Sequence, residues 1–226
     1  MSRPLHSSLI AFLLVIAGGV TSDAQTESGH LWYGMLVAAG AQIPLLLHVS
    51  GSGTSLSATA DSPGQAAFGA SVDSISESSI DDGQTLRFTI SSVKATYNGT
   101  GKGDTMSGVF VQNASTTPLV LKRFTGYDAN AANAAAADWA GVLKTPTGTL
   151  HLVLHVNFKS GALSATLDSP DQNVYGGVID TIAVDKNELL FEMTPLHIFY
   201  VGSINGNAMS GMFTQGGISV PMTFAR

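Results

Sequence analysis

The chain has 226 residues, of which 44% are hydrophobic and 12% are charged, with 25 glycines and no cysteine. This composition excludes disulfides, thiolate metal ligands and a cysteine nucleophile, and it favours β-structure with buried faces and tight turns. The formal net charge is −6 and the ten Lys and Arg residues are scattered, so we expect neither nucleic acid nor an anionic membrane surface as a partner.

Residues 1–24 are predicted to be a signal peptide. Arg3 and His6 precede an apolar run over 9–17, and the segment 22–24 offers small residues where a signal peptidase reads the chain. The run is far shorter than the roughly 20 residues that cross a bilayer, so we expect no transmembrane segment after signal removal. We therefore expect an exported protein, periplasmic or extracellular, whose mature chain begins near Gln25. The lack of cysteine favours a bacterial envelope or medium.

The rest of the chain contains two copies of one unit, over 30–126 and 138–226. The copies align with an offset of 107 as far as Ile75 and of 103 from Leu86 onward, and the extra residues of the first copy lie at a predicted hairpin tip. A repeat of this length that occurs twice predicts two similar domains. Residues 127–137 between them are rich in Ala and Asn and form the one helix-prone stretch of the chain, but they have no apolar stripe, so we interpret them as a linker that is at most transiently helical.

Each copy is predicted to contain eight short strands. In the second copy, Leu152, Leu154 and Val156 alternate along one face of a strand, and Asn205-Gly206 is a typical two-residue hairpin turn. Eight strands joined by short turns form a meander that closes on itself. The predicted fold class is therefore all-β, with two tandem eight-stranded antiparallel meander barrels related by internal duplication.

Each predicted barrel has a pair of residues where its ends meet. In an even-numbered meander barrel the start of the first strand lies beside the end of the last strand. Trp32 and Arg123 hold these places in the first copy, and Trp139 and Arg226 in the second. Each arginine continues an apolar face where an unpaired charge is costly, so we expect it to stack on the tryptophan and close the barrel. The alternative is a strand-end arginine that extends into solvent.

Two resemblances follow from these residues. A tryptophan that opens the first strand and an arginine that closes the last one resemble the lipocalin and avidin group of small β-barrels, although Gly29 lies one place too far from Trp32 for the lipocalin Gly-x-Trp. The segments 139–143, 163–172, 200–202 and 210–217 resemble the β-rich accessory module found ahead of the catalytic domain in secreted bacterial α/β-hydrolases and related serine hydrolases. This resemblance implies an accessory module, and no catalytic domain is expected within these 226 residues.

Catalytic and metal-binding patterns are weak. No Gly-x-Ser-x-Gly elbow occurs, and the Ser91-x-x-Lys94 spacing opens a predicted strand rather than the helix that such a motif needs. His151 and His155 are about 13 Å apart along one strand, too far to share a metal ion. Asp61 and Asp168 in Asp-Ser-Pro are typical turn residues. We expect no metal site, no cofactor and no catalytic residue.

One set of polar residues has a possible binding role. Asp73 and Asp180 lie within predicted strands beside apolar neighbours. With a glutamine and a tyrosine from the same copy, each could form a polar cluster inside or at the mouth of its barrel. The cluster has two interpretations, a buried network that sets strand register and a ligand site. The six candidate ligand-binding residues are Gln65, Asp73, Tyr97, Gln172, Asp180 and Tyr200.

The sequence therefore predicts an exported, non-enzymatic binding or scaffolding protein, with a small apolar ligand or a partner protein. One alternative is an accessory subunit of a separately encoded secreted hydrolase. Another is a remote hydrolase or isomerase that uses polar residues at a barrel mouth. An enzyme would be expected to carry a titratable residue without a counterpart in the other copy, and His151, His197 and Glu192 are the candidates.

Overall fold

The computed structural model describes residues 29–38, 40–80, 83–124, 128–145 and 148–226. The predicted signal peptide over 1–24 and the predicted mature terminus at Gln25 lie outside these residues. Within the described part of the chain, no helix has the length and apolar character to cross a bilayer. The fold is all-β with one short helix, α1 (Ala129–Ala135).

The two copies contain the same strands in the same order. In the first copy, called barrel 1, they are β1 (His30–Ala38), β2 (Ala41–Ser50), β3 (Ser57–Ser62), β4 (Ala67–Ser71), β5 (Ser74–Ile80), β6 (Gly83–Ile90), β7 (Ala95–Lys102), β8 (Thr105–Gln112) and β9 (Ser115–Phe124). In the second copy, called barrel 2, they are β10 (Ala137–Thr145), β11 (Gly148–Lys159), β12 (Ala162–Ser169), β13 (Val174–Val178), β14 (Thr181–Asp185), β15 (Glu188–Met193), β16 (Ile198–Asn205), β17 (Ala208–Gln215) and β18 (Ile218–Ala225).

Each copy is a curled antiparallel sheet whose first strand pairs with its last. The strand order is β4-β3-β2-β1-β9-β8-β7-β6-β5 in barrel 1, and barrel 2 repeats it. Trp32 lies opposite Arg123 in the β1–β9 pair, and Gly141 opposite Phe224 in the β10–β18 pair. The predicted duplicated, barrel-like all-β fold is confirmed.

The number of strands differs from the prediction, because each sheet has nine rather than eight. The predicted strand that carries Asp73 is present but bends in the middle. The N–H of Val72 donates to Ala58 O on β3 (3.1 Å), whereas the N–H of the next residue, Asp73, donates to Thr89 O on β6 (2.9 Å). At this bend the chain leaves one neighbouring strand and joins the other. Ile179 and Asp180 make the same exchange in barrel 2.

The extra residues of barrel 1 lengthen one hairpin, as the alignment predicts. Strands β5 and β6 have 7 and 8 residues, against 5 and 6 in β14 and β15. The tip at 81–82 lies outside the described residues. The longer β5 brings Glu77 to the end of the barrel where Trp32 lies.

The helix-prone segment between the copies contains α1, which is packed on barrel 2 rather than only transiently formed. Asp128 caps the helix, since its Oδ1 accepts the N–H of Ala131 at 2.8 Å. Ala131 and Ala135 are buried in the core of barrel 2. Alanine has so small a side chain that the helix backbone can approach the barrel end closely, and no stripe of large apolar residues is needed. The indole N–H of Trp139 donates to Ala135 O at 2.8 Å.

The two barrels pack against each other through outward-facing side chains. Strands β1, β2 and β9 of barrel 1 contact β14, β15 and β16 of barrel 2 across a shared apolar cluster, called here the inter-barrel contact. The rings of Tyr33 and Phe199 lie 5.8 Å apart in it, and Lys122 at its edge pairs with Asp185 (2.9 Å) and with Glu188. The fully buried members of the contact are Leu31, Leu46, Phe124, Ala183, Leu190 and Phe199.

Candidate functional site

The two predicted aspartates hold backbone turns. Asp73 and Asp180 are exposed. The carboxylate of Asp73 accepts the N–H of Ser91 at 2.5 Å, and that of Asp180 accepts the N–H of Thr194 at 2.8 Å. The bond from Ser91 holds the pKa of Asp73 below its ordinary value. Both carboxylates anchor the start of a short 3-10 helix rather than point into a barrel.

The two predicted tyrosines belong to the cores. The hydroxyl of Tyr97 donates to Met106 O and Leu119 O (both 3.3 Å), and that of Tyr200 donates to Met209 O (3.1 Å). Burial raises the pKa of Tyr97 to about 12. Each ring folds over a glycine of its own strand, where a Cβ would lie 2.3 Å from the tyrosine hydroxyl. The Tyr-x-Gly spacing is therefore a packing feature.

The two predicted glutamines lie at the mouths of the barrels. Gln65 Oε1 accepts from Ser62 at 3.0 Å, and Gln172 Oε1 from Ser169 at 2.7 Å. The expectation of one polar cluster per barrel is therefore wrong, because the aspartates are on the outside, the tyrosines are in the core and the glutamines are at the rim. Of the six residues, Gln65 lines a large cavity.

This cavity, called the barrel-1 cavity, has a volume of about 320 Å³. It opens between the β1–β2 turn and the β8–β9 turn, and its walls are the inward faces of several barrel strands. Gln65 and Gln112 supply polar groups near its mouth. The apolar walls include Leu36, Ile43, Leu45, Ala60, Ile90 and Phe110.

Barrel 2 is filled at the same place. The space that the described residues enclose there is about 10 Å³, lined by residues such as Leu167 and Ile198. These two side chains are fully buried, and alanines hold the corresponding positions, Ala60 and Ala95, in barrel 1. Leu167 therefore fills space in barrel 2 that Ala60, in the wall of the barrel-1 cavity, leaves open.

The opposite end of each barrel carries the Trp–Arg pair. The guanidinium carbon of Arg226 lies 4.5 Å from the ring centroid of Trp139, and that of Arg123 lies 5.7 Å from Trp32. Arg226 also donates to Ala134 O (2.6 Å) and Gly206 O (3.4 Å). Both distances lie within the range of a cation–π contact, so the arginines stack at the closed side of the sheets.

The two barrels cap this end differently. In barrel 2, α1 covers it, whereas in barrel 1 Glu77 accepts from Trp32 Nε1 (2.8 Å) and pairs with His30 Nε2 (2.6 Å). Burial by itself raises the pKa of Glu77, but these two bonds outweigh it and hold the pKa below its ordinary value. A second, polar cavity of about 370 Å³ lies here, with Glu77, Gln84 and Arg123 in its wall.

A third feature joins the barrels. His48 on β2, Asp61 on β3 and Glu192 on β15 meet at the inter-barrel contact, and we call them the His48 cluster. His48 Nε2 lies 2.9 Å from Asp61 Oδ2 and 2.9 Å from Glu192 Oε2. Glu192 is fully buried, and neither of its carboxylate oxygens receives a well-directed hydrogen bond from the described residues.

The electrostatics of the cluster favour retention of protons. Burial by itself lowers the pKa of His48, but the carboxylates of Asp61 and Glu192, each 2.9 Å from Nε2, outweigh burial and raise the pKa to about 10. Burial raises the pKa of Glu192 despite the attraction of His48. If both carboxylates are ionised, a protonated His48 balances one of their two charges, and the raised pKa of Glu192 favours a proton on the second.

The matching position in barrel 2 has a different arrangement. His155 binds Asp168 through Nε2 (3.0 Å) but binds its second carboxylate, Asp138, through the other ring nitrogen at 2.7 Å. Thr89 holds the place of Glu192 in barrel 1. Of the two histidines, only His48 therefore has two carboxylates at the same ring nitrogen.

The residues without a counterpart have different surroundings. His151 is exposed and pairs with Asp171 at 2.9 Å, and His197 stacks on Phe68 of barrel 1 at 5.0 Å. Of these three candidates, only Glu192 lies in a buried polar cluster. Its lack of a counterpart was the available sequence signal, but nothing in the sequence pattern pairs it with His48, because the orientation of the two barrels decides that contact.

The fold and these cavities define a class of protein, a duplicated β-barrel with one filled and one open interior. No family model, no curated protein and no solved structure matches this chain significantly.

Proposed function

We propose that the protein is a non-catalytic binding protein that holds a small, mainly apolar ligand in the barrel-1 cavity. The observation that supports this most is the difference between the barrels, a cavity of about 320 Å³ in one and about 10 Å³ in the other. Pockets that hold small molecules commonly start at roughly 300 Å³. Barrel 2 provides a packed support in this proposal.

The walls of the cavity suit a ligand with an apolar body and one polar end. Leu36, Ile43 and Phe110 offer apolar surface, and each Å² of apolar ligand surface removed from water contributes about 25 cal/mol. Gln65 and Gln112 stand at the mouth, where they can bind a polar group of the ligand. An apolar ligand would therefore enter with its apolar end first.

The test is a titration of the purified protein with N-phenyl-1-naphthylamine, an apolar dye whose fluorescence rises on leaving water. We expect saturable binding at one site. Ala60→Leu and Ala67→Val, both in the cavity wall, give barrel 1 the side chains that barrel 2 has at these positions, and together they should weaken binding by more than about tenfold, since 1.4 kcal/mol corresponds to a factor of ten.

The matched control is Ala140→Leu, which adds the same side chain at an exposed position on the outside of barrel 2. It should leave dye binding unchanged. Absence of saturable binding in the unaltered protein, or equal binding in the filled variant, would refute the proposal.

We also propose that the protein is exported, on the basis of the charged, apolar and small-residue segments of 1–24. Intact-mass measurement of protein recovered from the periplasm or medium should show a mature terminus at Gln25 or a close neighbour. Recovery of exported protein that still carries Met1 would contradict cleavage.

A further inference from the structure

We propose that the His48 cluster is a binding site for one divalent transition-metal ion such as Zn²⁺, which links the two barrels. Barrel 1 supplies His48 from β2 and Asp61 from β3, and barrel 2 supplies Glu192 from β15. The inference does not rest on ligand binding in the barrel-1 cavity.

The spacing of the three side chains supports the proposal. Their ligand atoms, one imidazole nitrogen and two carboxylate oxygens, all lie within 4.8 Å of one another. Zn²⁺ binds imidazole nitrogen and carboxylate oxygen at about 2.0–2.2 Å, so one ion between the three groups can reach all of them with small side-chain adjustments. Three protein ligands leave a fourth position for water or another small donor.

The convergence on one nitrogen is a second argument. His48 Nε2 carries at most one proton, yet carboxylate oxygens of both Asp61 and Glu192 lie 2.9 Å from it. A single N–H cannot be directed well at two acceptors. A cation placed between the three atoms would satisfy both carboxylates and the nitrogen lone pair at once.

The third argument is the state of Glu192. Its side chain is fully buried and aimed at His48, and both of its oxygens lack a hydrogen bond from the described residues. Burial of a charged group is very costly unless the group is paired or coordinates a metal. Among the described residues, Glu192 is the one fully buried carboxylate whose two oxygens both lack a hydrogen bond.

The surroundings of the site also fit. The second oxygen of Asp61, Oδ1, accepts the N–H of Gly69 at 2.5 Å, and such outer bonds orient a metal ligand and leave the other oxygen free to coordinate. The side chain of His48 is 26% exposed, which gives an ion a route from solvent. An imidazole ligand favours Zn²⁺ and its neighbours over Ca²⁺ and Mg²⁺, which prefer oxygen.

The experiment is a calorimetric titration of the chelator-treated full chain with Zn²⁺, together with thermal unfolding in the presence and absence of the ion. We expect one Zn²⁺ per chain and a higher unfolding temperature with the ion, while Ca²⁺ and Mg²⁺ have no comparable effect. Glu192→Gln and His48→Gln should each lower Zn²⁺ affinity by more than about tenfold, since even loss of an outer-shell partner can cost that much.

The matched control is His155→Gln in barrel 2, whose carboxylates bind opposite ring nitrogens. It should retain stoichiometric Zn²⁺ binding. Glu192→Gln keeps the shape of the side chain and leaves His48 paired with Asp61, so the metal-free variant should remain folded, and its unfolding temperature without the ion separates loss of binding from loss of folding.

Absorption of bound Co²⁺ gives a second readout, because its visible bands depend on the ligands. These bands should be absent in Glu192→Gln and present in His155→Gln. No stoichiometric Zn²⁺ binding by the unaltered chain would overturn the proposal. Binding that survives in Glu192→Gln and His48→Gln but is lost in His155→Gln would also overturn it.

Discussion

Barrel 1 and barrel 2 share strand order, closure and turn chemistry, yet one has an open interior and the other a packed one. The Trp–Arg pairs, the tyrosines over glycine and the aspartates at the 3-10 turns occur in both. The difference lies in a few inward positions, of which Ala60 against Leu167 is an example. The common strand order therefore goes with the features that both barrels share. The inward side chains at the end that holds the barrel-1 cavity can differ without a change of strand order.

The two barrels also differ at the end that carries the Trp–Arg pair. Barrel 2 uses α1 from the preceding segment, and barrel 1 uses Glu77 from a lengthened hairpin, to satisfy the indole N–H of the corresponding tryptophan. A fully buried N–H needs a partner, but the partner can come from a different part of the chain.

The largest effect is expected from exchanging outward residues between the barrels. Leu190 is fully buried in the inter-barrel contact, and exposed Arg87 holds its place in barrel 1. Leu190→Arg should destabilise the contact by about 5 kcal/mol or more, because it removes apolar packing and buries an unpaired charge. Calorimetry should then show two separate unfolding transitions. The control Arg87→Leu should change stability by less than about 0.5 kcal/mol, and a single unchanged transition in Leu190→Arg would refute the described contact.

The next effect tests whether side-chain size alone opens a barrel. Leu167→Ala in barrel 2 removes a fully buried side chain and should cost about 3 kcal/mol in urea denaturation, within the usual range for such changes. Ala60→Leu in barrel 1 should cost little or increase stability, because it fills existing space. If Ala60→Leu instead lost as much stability as Leu167→Ala, the interior of barrel 1 would have no space for the larger side chain.

A smaller effect is expected at the closed ends. Arg226→Ala loses a cation–π contact at 4.5 Å and two bonds to backbone oxygens, so it should lower the unfolding free energy by about 1 kcal/mol. Arg123→Ala should have a smaller effect, because its ring contact is longer, 5.7 Å. Arg226→Lys should recover less than half of the loss, since lysine lacks the planar group that stacks. Denaturation midpoints equal to that of the unaltered protein in all three variants would contradict this stabilising role of the arginines.

The smallest effect is a pH dependence in barrel 2. Hydrogen bonds with Asp138 and Asp168 raise the pKa of His155 above its ordinary value, despite opposing burial. A raised folded pKa stabilises the protein below about pH 6.5, the unfolded value, and the contribution is lost as pH rises through the folded value. Solvent screens this exposed pair, so the gain is about 0.5 kcal/mol or less. Asp138→Asn should narrow the difference between denaturation midpoints at pH 6 and pH 9, and an unchanged difference would argue against the pair.

Much of the fold was predictable because it follows from local alternation and from the repeat. The parity that places Trp32 and Arg123 at the ends of their strands also places them side by side once the sheet curls. The bend at Asp73 was not predictable in this way, since no glycine or proline marks the exchange of strand partners there. The helical tendency of α1 was visible in its alanines, but its packing on barrel 2 was not, because a rule based on large apolar stripes overlooks buried alanines such as Ala135.

The His48 cluster was harder to predict because it depends on how two domains meet. Two signals could have found that contact. The runs 45–47 and 189–191 are apolar without alternation, which is typical of strands buried on both faces. Comparison of the copies at outward positions gives the second signal, since Phe199 stands where barrel 1 has the exposed Thr96.

The inter-barrel contact joins unlike faces, the outside of β1, β2 and β9 with the outside of β14, β15 and β16. A head-to-tail contact of this kind has no symmetry that closes it, so if both faces were kept in both copies the molecules would grow into a filament. On the outer sides, however, the exposed Arg87, Thr96 and Asn98 replace Leu190, Phe199 and Val201, and Asp138 replaces Leu31. These polar side chains oppose a further contact of the same kind at either end, as polar terminal repeats do in solenoid proteins.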